Sequence, residues 1–560
     1  MESNRKLLNG DEAIAYAARN AGLNLGIGYP GTPSTEILET FSSLGGYAQW
    51  APNEKVAAEV AIGAALAGGK AIVTMKHVGM NVAADPFFTA AYTGVKGSLV
   101  ICAADDPGMA SSQNEQDSRR YAVAAGLPML EPADSQQCYD YLLLAVKLSH
   151  EFGTPVILRL TTRVCHSKTI VKVGPFSEPE TPSYTKDAKS HVMVPAFARL
   201  AHVRLRKRLK DLEEWNNENG PCTFLGPENA KPGVIATGIS AMHAAEALPE
   251  ARIMQPGMTY PLPLAKIREF VNSHEDNLVV EEGDPVVVET LLANGMKVRG
   301  KKEAFRFGEL NVARVKKLAA DDVTPDPAPA PGKPPQLCPG CPHRLTFQAL
   351  HDLGCTVCGD IGCYTLGVLP PYEAMDTCVC MGASISAALG MREVLPAEQA
   401  KRIVSVIGDS TFMHSGLTGL VDMVYNRPPH GHVVILLDNS TTAMTGLQEH
   451  PGTGRRLDHS ETVRVDPAAV ARAIGVRVEE IDPLPMKDTL KDFIQEQLDK
   501  EDVCMIIMKR SCLLALKHLK DRDEEWKQEQ NPNGHGPEFP KERQTVEMEK
   551  IDHISREQND

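Results

Sequence analysis

Asp409 and Asn439 are two polar residues that each follow a short apolar run, "RIVSVI" before Gly408 and "HVVILL" before Asp438. A carboxylate, a side-chain amide oxygen and a nearby backbone carbonyl, such as that of Thr441, are hard oxygen ligands of the kind that suit Mg²⁺. A Mg²⁺ ion held in this way can carry a diphosphate group. The residue types therefore predict a metal-diphosphate site, provided that the fold brings Asp409 and Asn439 together.

The elements around these residues would supply that proximity. The segment "TFMHSGLTGLVDMVYN" has apolar residues at helical spacing, and it lies between two runs that are typical of strands. A right-handed strand-helix-strand crossover returns its strands parallel and side by side. Both polar residues would then lie past neighbouring carboxyl ends, where open α/β sheets bind their ligands. The helix N-terminus after Gly408 would add backbone N–H donors for phosphate oxygens.

Seven of the 13 cysteines lie between Cys338 and Cys380. Cys338, Cys341, Cys355 and Cys358 have the spacing C-x2-C-x13-C-x2-C, which is close to that of zinc sites. The segment "GCTVCGDIG" also has the pattern of a strand that enters a glycine turn, and cysteines within strands are often packing residues. Zinc ligation and packing both stay open for these four residues.

Composition narrows the class of protein. The net charge of -14 argues against a nucleic-acid or anionic-membrane partner, because either would require a basic face. The basic run "RLAHVRLRKRLK" continues into acidic residues, so we interpret it as a solvated amphipathic helix. No apolar stretch is long enough to span a bilayer, and "MESNRKLLNG" lacks the apolar core of a signal peptide. We expect a cytoplasmic protein without a disulfide framework.

Alternating strand and helix patterns predict a multidomain α/β protein built on parallel sheets. A chain of 560 residues is too long for one core. Polar and proline-rich segments divide it, and the predicted parts are an α/β domain at 1–180, a smaller α/β domain at 190–323, a proline-rich connector at 324–337, an α/β domain at 338–520 and a polar arm at 521–560.

Seven motifs together resemble a known family. They are "GYPGTPSTEILE", "NEKVAAEVAIGAALAG", "TMKHVGMNVAADP", "CPGCPHR", "GDIGCYTLG", "GDSTFMHSGL" and "DNSTTAMTG". In this order they are similar to the alpha subunit of indolepyruvate ferredoxin oxidoreductase, a 2-oxoacid:ferredoxin oxidoreductase that uses thiamine diphosphate. The resemblance implies a pyrimidine-binding domain, a transketolase C-terminal-like domain and a diphosphate-binding domain. It also implies cofactor contacts at Gly408, Asp409, Ser410, Asn439 and Thr441.

The resemblance also implies catalytic residues. Thiamine catalysis requires a carboxylic acid at the pyrimidine ring, because that acid relays the proton through which the cofactor is activated. Glu54 matches the family's catalytic glutamate, and we prefer it to Glu59 five residues on. Thr32 matches the threonine that binds the substrate carboxylate. Arg119, with Arg120 as its alternative, is a candidate partner for the same carboxylate because guanidinium can bind it with two hydrogen bonds.

A second set of cysteines follows from the resemblance. Cys338, Cys341, Cys363 and Cys512 match the positions that hold a [4Fe-4S] cluster near the thiamine ring in related pyruvate:ferredoxin oxidoreductases. Such a cluster would accept two electrons in single steps after decarboxylation. The implied partners are a 2-oxoacid, coenzyme A, a smaller beta subunit and ferredoxin, in a heteromer whose alpha chains dimerise.

Two departures from the family pattern bear on function. The family usually continues into a ferredoxin-like domain with Cys-x2-Cys-x2-Cys-x3-Cys-Pro runs, whereas the sequence has no cysteine after Cys512. We therefore expect ferredoxin or a separate electron-relay subunit to receive the electrons. Leu447 and Glu449 stand where the family has His and Pro, in a loop that directly follows the predicted metal site and bears on substrate choice.

The leading hypothesis is an oxidative 2-oxoacid decarboxylase that forms an acyl-CoA, with an arylpyruvate such as indolepyruvate as the favoured substrate. One alternative is a non-oxidative thiamine diphosphate-dependent decarboxylase or lyase whose cysteines hold zinc or no metal. Another, of a different class, is a cofactor-binding scaffold subunit in a larger complex. The combination of Glu54, Asp409 and Asn439 argues against a scaffold alone.

Overall fold

The computed structural model describes residues 4–327 and 335–516. The chain as far as Arg510 forms one compact unit, and a second unit begins at Ser511. The centre of the predicted connector, residues 328–334, and the predicted polar arm at 521–560 lie outside the described residues. The domain boundaries given above stay predictions.

Short strands alternate with alanine-rich helices over the first third of the chain. The strands are β1 (Arg5–Leu8), β2 (Leu25–Gly28), β3 (Ala48–Trp50), β4 (Lys70–Lys76), β5 (Ser98–Asp105), β6 (Met129–Leu130), β7 (Val156–Thr161) and β8 (Thr169–Lys172). The helices are α1 (Gly10–Asn20), α2 (Thr35–Ser43), α3 (Glu54–Leu66), α4 (His77–Val82), α5 (Ala84–Thr93), α6 (Ser118–Ala125), α7 (Ser135–Phe152) and α8 (Thr162–His166).

The middle region contains a long helix and five strands. The helices are α9 (Ala188–His191), α10 (Pro195–Asn219), α11 (Ser240–Ala247), α12 (Leu264–Asn272), α13 (Val286–Ala293) and α14 (Val312–Ala319), with a 3₁₀ turn at Glu303–Phe305. The strands are β9 (Cys222–Leu225), β10 (Pro232–Ala236), β11 (Arg252–Pro256), β12 (Met258–Tyr260) and β13 (Asp276–Val280).

The last described region again alternates strands and helices. The strands are β14 (Thr356–Gly359), β15 (Thr377–Cys378), β16 (Ile403–Gly408), β17 (His432–Asp438), β18 (Arg477–Ile481) and β19 (Val503–Lys509). The helices are α15 (His343–Leu353), α16 (Ala383–Val394), α17 (Ala397–Ala400), α18 (Asp409–Thr411), α19 (Leu417–Tyr425), α20 (Pro467–Ala473) and α21 (Leu490–Asp499). A 3₁₀ segment spans Cys363–Val368, and a π-helical turn at Phe412–Gly416 joins α18 to α19.

β1 and β8 form a two-stranded antiparallel sheet, and the other strands form three larger sheets. The first sheet has the order β12-β6-β7-β5-β4-β2-β3, the second β13-β10-β11-β9 and the third β15-β14-β16-β17-β19-β18. The third sheet is parallel throughout, whereas β12 and β9 are antiparallel edges of the other two. Every residue of β5 is buried, as expected for a strand that is covered by helices on both faces. The predicted α/β fold with parallel sheets is confirmed.

Helix α10 confirms the helix that the basic run predicts, and it packs more closely than a solvated helix would. Leu205 and Leu212 on α10 are buried in the two hydrophobic cores that flank the first sheet. Lys207 pairs with Asp211 at 2.6 Å on the exposed side of α10. The segment between β8 and α9 lacks regular structure.

A group of buried charges joins the first and second sheets. Arg119 on α6 pairs with Asp117 and Glu281, and it also donates to the backbone carbonyls of Glu282 and Asp284. Its side chain is only 2% exposed. A 2-oxoacid carboxylate would have to displace these partners. This geometry argues against the substrate-binding role predicted for Arg119, because its guanidinium is already committed to the contact between the sheets.

The alternative residue, Arg120, is half exposed and pairs with Glu289 at 2.8 Å, also on the side of the second sheet. A second buried arginine, Arg159 on β7, donates to Asp105 over 2.7 Å and to Glu131 over 2.9 Å. The buried charges are thus compensated by partners from several elements.

In the described ranges, no helix has both the length and the apolar character needed to cross a membrane.

Replacing Arg119 by alanine should destabilise the fold strongly. Glu281 would keep a buried negative charge without its partner, and Asp117 would keep only the longer contact to Arg159 at 3.6 Å. Such a loss costs about 3–5 kcal/mol. The neighbouring Arg120→Ala removes surface ion pairs and should cost less than about 1 kcal/mol. Urea unfolding of the two variants measures this difference, and equal midpoints for both would contradict the structural role of Arg119.

Candidate active site

The loops that follow β16 and β17 meet at the carboxyl edge of the third sheet. The two strands pair in parallel, with Gly408 opposite Leu437. The Ser440 backbone N–H donates to Asp409 Oδ2 over 2.8 Å, and Asp409 and Asn439 are both buried. The predicted crossover is confirmed, and it brings the two loops into direct contact.

Asp409 presents a negative charge at this edge. Burial acts to raise the pKa of Asp409, but the neighbouring His450 and the Ser410 N–H outweigh it and lower that pKa. His450 Nε2 lies 3.3 Å from Asp409 Oδ2. Burial and the charge of Asp409 raise the pKa of Asp438 to about 6. Asp409 therefore stays ionised across the neutral pH range, whereas Asp438 takes up a proton as the pH falls to about 6.

A neutral histidine orients the amide of Asn439. His343, the first residue of α15, is buried, and desolvation lowers its pKa to about 4. Asn439 Nδ2 lies 3.4 Å from His343 Nε2, and the neutral ring can accept this hydrogen bond. Asn439 Oδ1 then points to the opposite side, where it accepts from the Thr441 N–H over 3.2 Å. The amide oxygen is held in place as a potential ligand.

The turn between Asn439 and Thr441 adopts an uncommon backbone conformation. Ser440 has a φ of 60°, in the left-handed region that side chains other than glycine rarely adopt. Its N–H donates to both Asp409 and Asp438, and these two hydrogen bonds hold the turn. Backbone strain of this kind costs about 1–3 kcal/mol and is concentrated at functional sites.

Glycine is required at the entry to α18. A Cβ atom on Gly408 would lie 2.7 Å from Cε1 of Tyr364. Tyr364 follows Cys363 directly, and its hydroxyl lies 3.4 Å from Thr411 Oγ1. The loop that carries Cys363 is therefore packed against the loop that carries Asp409, at neighbouring strands of the same sheet.

The Glu54 side chain makes a contact between a helix that packs on the first sheet and a turn at the edge of the third sheet. It is the first residue of α3 and is buried, and its Oε2 lies 2.8 Å from Nε2 of His414 in the π-helical turn. The preceding Asn53 donates to the His414 carbonyl over 2.7 Å. By contrast, Glu59 is half exposed and pairs with Lys55. The geometry favours Glu54 over Glu59 as the acid of this site.

Helix α4, which directly follows β4 of the first sheet, packs against the Glu54 side chain. A Cβ atom on Gly79 would lie 2.7 Å from Glu54 Cγ and 2.9 Å from its Oε1. Only glycine leaves room for the carboxylate in this position. The motif "TMKHVGMN" thus contributes a close helix contact that holds Glu54 against His414.

The loop after β2 makes the next contact between the sheets. The Tyr29 hydroxyl lies 2.9 Å from Ser410 Oγ, and Thr442 donates to the same Ser410 oxygen over 2.8 Å. Thr32 lies half buried in this loop, between β2 and α2. The Ser34 hydroxyl donates to the Gly31 carbonyl over 3.0 Å and closes the turn around Thr32.

The cysteines fall into distinct environments. Cys338 and Cys341 precede α15 in a turn, and Cys363 begins the 3₁₀ segment after β14. Cys358 is buried within β14, where its Sγ lies 3.5 Å from Met391 Sδ, so packing accounts for it. In the part of the chain that the structure describes, no three cysteine sulfurs lie within 4.8 Å of one another, which argues against a preformed zinc site at Cys338, Cys341, Cys355 and Cys358. Cys512 belongs to the second unit, so its predicted role stays a prediction.

Three histidines at the site have no role in the sequence prediction. His343 and His414 lie within the quoted motifs "CPGCPHR" and "GDSTFMHSGL", whereas His450 follows in the "TGLQEHPGTG" loop. Asp360 is a fourth residue of this kind, and its carboxylate accepts the N–H groups of Gly382 and Ser384 at the start of α16. The presence of His343 and His414 in the quoted motifs is the sequence signal that marks them as candidate site residues. Their hydrogen-bond partners, Asn439 and Glu54, lie in distant segments of the chain.

Comparison with known proteins agrees with this geometry. Residues 16–196 match the family model described as pyruvate flavodoxin/ferredoxin oxidoreductase, thiamine diP-bdg, and residues 360–508 match that of the thiamine pyrophosphate enzyme, C-terminal TPP binding domain. The chain is 38% identical to indolepyruvate oxidoreductase subunit IorA of Archaeoglobus fulgidus, over 93% of this chain and 89% of that protein. The subunit IorA of Methanothermobacter thermautotrophicus is also 38% identical, over 92% of this chain and 88% of that protein.

The fold, the site and these matches define the alpha subunit of a thiamine diphosphate-dependent 2-oxoacid oxidoreductase. More closely, the chain belongs to the family of indolepyruvate oxidoreductase subunit IorA.

The residues at the edge of the third sheet suit a Mg²⁺ ion and a diphosphate. Asp409 is ionised and buried, and Asn439 offers a fixed amide oxygen, which are the hard donors that Mg²⁺ selects. The helical segment that begins at Asp409 directs its first N–H groups to the same edge. The donor chemistry therefore fits the group that the family model implies.

His343→Ala should weaken binding of thiamine diphosphate with Mg²⁺ about 10–100-fold, because partners that orient a ligand have effects of that size. His343→Gln should recover part of the affinity, since its amide oxygen can still accept from Asn439. Isothermal titration calorimetry measures both constants. The matched control is His351→Ala, an exposed residue on the same helix, and equal affinity for His343→Ala and wild type would contradict the orienting role.

Proposed function

We propose that this chain catalyses the oxidative decarboxylation of a 2-oxoacid, with an arylpyruvate such as indolepyruvate as the favoured substrate. The bond between the carbonyl carbon and the carboxylate breaks, carbon dioxide leaves, and the acyl group forms a thioester with coenzyme A. Cys338, Cys341, Cys363 and Cys512 would hold a [4Fe-4S] cluster, which would supply one-electron transfer of the two released electrons to ferredoxin or to a separate relay subunit. The chain acts with a smaller beta subunit.

The contact between Glu54 and His414 is the observation that carries this proposal. Glu54 begins α3, a helix that packs on the first sheet. His414 lies five residues after Asp409, at the edge of the third sheet. An acid that reaches a metal-diphosphate edge from another sheet is the arrangement that thiamine catalysis requires. Burial of both side chains keeps solvent away from the proton that Glu54 would handle.

Binding of the cofactor falls to the edge of the third sheet. Asp409, Asn439 and the Thr441 carbonyl would hold Mg²⁺. The helix N-terminus that follows Gly408 would bind the phosphate oxygens. When bound, thiamine diphosphate supplies the carbon nucleophile that attacks the 2-oxoacid carbonyl.

Glu54 would hold and return a proton at the pyrimidine ring nitrogen. His414 Nε2 contacts the Glu54 carboxylate, and the second ring nitrogen, Nδ1, lies 2.7 Å from the Ser415 hydroxyl. The ring is therefore held by hydrogen-bond partners on both sides. General acid–base catalysis of this kind contributes about 10²–10⁴-fold to the rate. His414 is thus proposed as the positioning residue through which Glu54 is held in place.

Thr32 is the proposed partner of the substrate carboxylate, and its loop is anchored to the cofactor edge through Tyr29 and Ser410. The loop with Leu447 and Glu449 contacts α2, the helix that follows the Thr32 loop. Gln448 in that loop donates to Glu39 of α2 over 2.9 Å, so the loop bridges the first and third sheets. The relatives named for indolepyruvate support an arylpyruvate as the substrate.

The location of the cysteines supports a cluster near the cofactor. Cys341 lies two residues before His343, which contacts Asn439, and Cys363 lies one residue before Tyr364, which packs on Gly408. Cys338 and Cys512 complete the proposed set. Cluster ligation by thiolates would provide the one-electron steps that the reaction needs. We retain the proposals of a cytoplasmic location and of an alpha-alpha dimer within the heteromer.

Replacing Cys363 by serine should remove the cluster without removing the cofactor. We expect the anaerobically purified variant to lose iron, sulfide and the broad visible absorption, and to lose reduction of an artificial electron acceptor. Binding of thiamine diphosphate should stay near the wild-type value, because Asp409 and Asn439 are unchanged. Iron and sulfide assays with absorption spectra measure the first part, and calorimetry the second.

The matched control is Cys378→Ser, which alters an exposed cysteine outside the proposed set. It should keep both iron and acceptor reduction. A wild-type protein that contains no iron or sulfide, and releases an aldehyde with no acceptor reduction, would instead establish the non-oxidative alternative.

A further inference from the structure

A second cluster of metal-ligating side chains lies on the first sheet, in residues that the proposed function does not use. Asp11 is in the first turn of α1, Glu36 in the first turn of α2, and His166 at the end of α8. One ligand atom from each lies within 4.8 Å of the others. The consecutive helices α1 and α2 and the later helix α8 therefore converge on one point.

Asp11 is the unusual member of this group. Its side chain is 0% exposed, yet neither of its carboxylate oxygens accepts a hydrogen bond of ordinary geometry. Glu36 Oε2 is likewise buried without such a partner. Buried carboxylate oxygens are almost always paired, so this arrangement indicates a missing electrophilic partner.

The surroundings add negative rather than positive charge. Burial is the largest effect that raises the pKa of Asp11, and the carboxylates of Glu36 and Glu12 raise it further. The Cys165 thiol also faces Asp11 and acts in the opposite direction. A cation at the convergence of Asp11, Glu36 and His166 would remove this imbalance.

We propose that Asp11, Glu36 and His166 bind one zinc ion. Two carboxylates and an imidazole form a donor set suited to Zn²⁺, whereas Mg²⁺ and Ca²⁺ favour oxygen ligands alone. The remaining position of a tetrahedral ion is available to water.

A proton shared between Asp11 and Glu36 accounts for less of the geometry. Such a proton would form one hydrogen bond between the two carboxyl groups, and it would leave the second Asp11 oxygen with only the weakly donating Cys165 thiol. It would also give no role to the convergence of His166. A divalent ion engages all three side chains.

The zinc ion would tie α2 to α1 and α8. The loop of Tyr29 and Thr32 runs directly into α2, and Glu36 lies four residues after Thr32. By fixing the first turn of α2, the ion would therefore stabilise the loop that precedes α2 and contacts Ser410 through Tyr29. Its function would be structural and independent of electron transfer.

Zinc binding by the full-length chain tests this proposal. Wild-type protein should bind about one more zinc per chain than either Glu36→Gln or His166→Ala, and its thermal midpoint should rise with added zinc, because an ion that binds only the folded state stabilises it. Elemental analysis and calorimetric titration measure the stoichiometry. The comparison between variants removes any contribution from the cysteines of the third sheet, which all of them share.

His150→Ala is the matched control, since it removes an exposed histidine from α7 of the same sheet and should bind zinc as the wild type does. Circular dichroism of each variant shows that it is folded. Equal zinc stoichiometry in wild type, Glu36→Gln and His166→Ala would overturn the proposal. In that case a wild-type thermal midpoint that responds to pH but not to zinc would identify a shared proton between Asp11 and Glu36.

Discussion

The hydrogen-bonded contact between Glu54 and His414 is the interaction on which the rest of the structure depends. It joins a helix of the first sheet to a π-helical turn of the third, and both side chains are buried. The two groups lie 360 residues apart in sequence, so neither local propensity nor a single domain can set their distance. The fold must position two sheets relative to each other with the accuracy of a hydrogen bond.

Several contacts share that task. Tyr29 meets Ser410, Asn53 meets the His414 carbonyl, and Gln448 meets Glu39, so three further hydrogen bonds join the first and third sheets around Glu54. The first sheet is in turn tied to the second by the antiparallel strand β12 and by the buried ion pairs of Arg119. At the edge of the third sheet Asp409 is ionised and accepts from the Ser440 N–H, while His343 is neutral and can accept from Asn439.

The sequence predicts the parts of this structure whose physical causes are local. The crossover from β16 to β17 follows from two apolar runs and a helical repeat, and its geometry alone brings Asp409 to Asn439. The helix that begins at Glu54 and the strand at Thr356–Gly359 likewise follow from periodicity and glycine turns. These elements could be predicted because a few neighbouring residues determine them.

The remaining features depend on partners that no local pattern specifies. Arg119 looked suitable for a carboxylate, and it does bind carboxylates, but they are Asp117 and Glu281 of the protein itself. His343 acts through a hydrogen bond to a residue 96 positions away. The unpaired oxygens of Asp11 could be recognised only after three helices were placed. The sequence shows the type and the order of these residues. Their burial and their hydrogen-bond or ion-pair partners are determined only when the sheets are assembled.

The central claim is that Glu54 from the first sheet and Asp409 from the third serve one bound thiamine diphosphate. The most direct measurement is the rate at which the cofactor's C2 proton exchanges with deuterium, followed by quenched NMR in wild type, Glu54→Gln and the exposed control Glu59→Gln. We predict an exchange rate about 10²–10⁴-fold slower for Glu54→Gln, with wild-type cofactor affinity and a wild-type rate for Glu59→Gln. Exchange at the wild-type rate in Glu54→Gln would contradict the account.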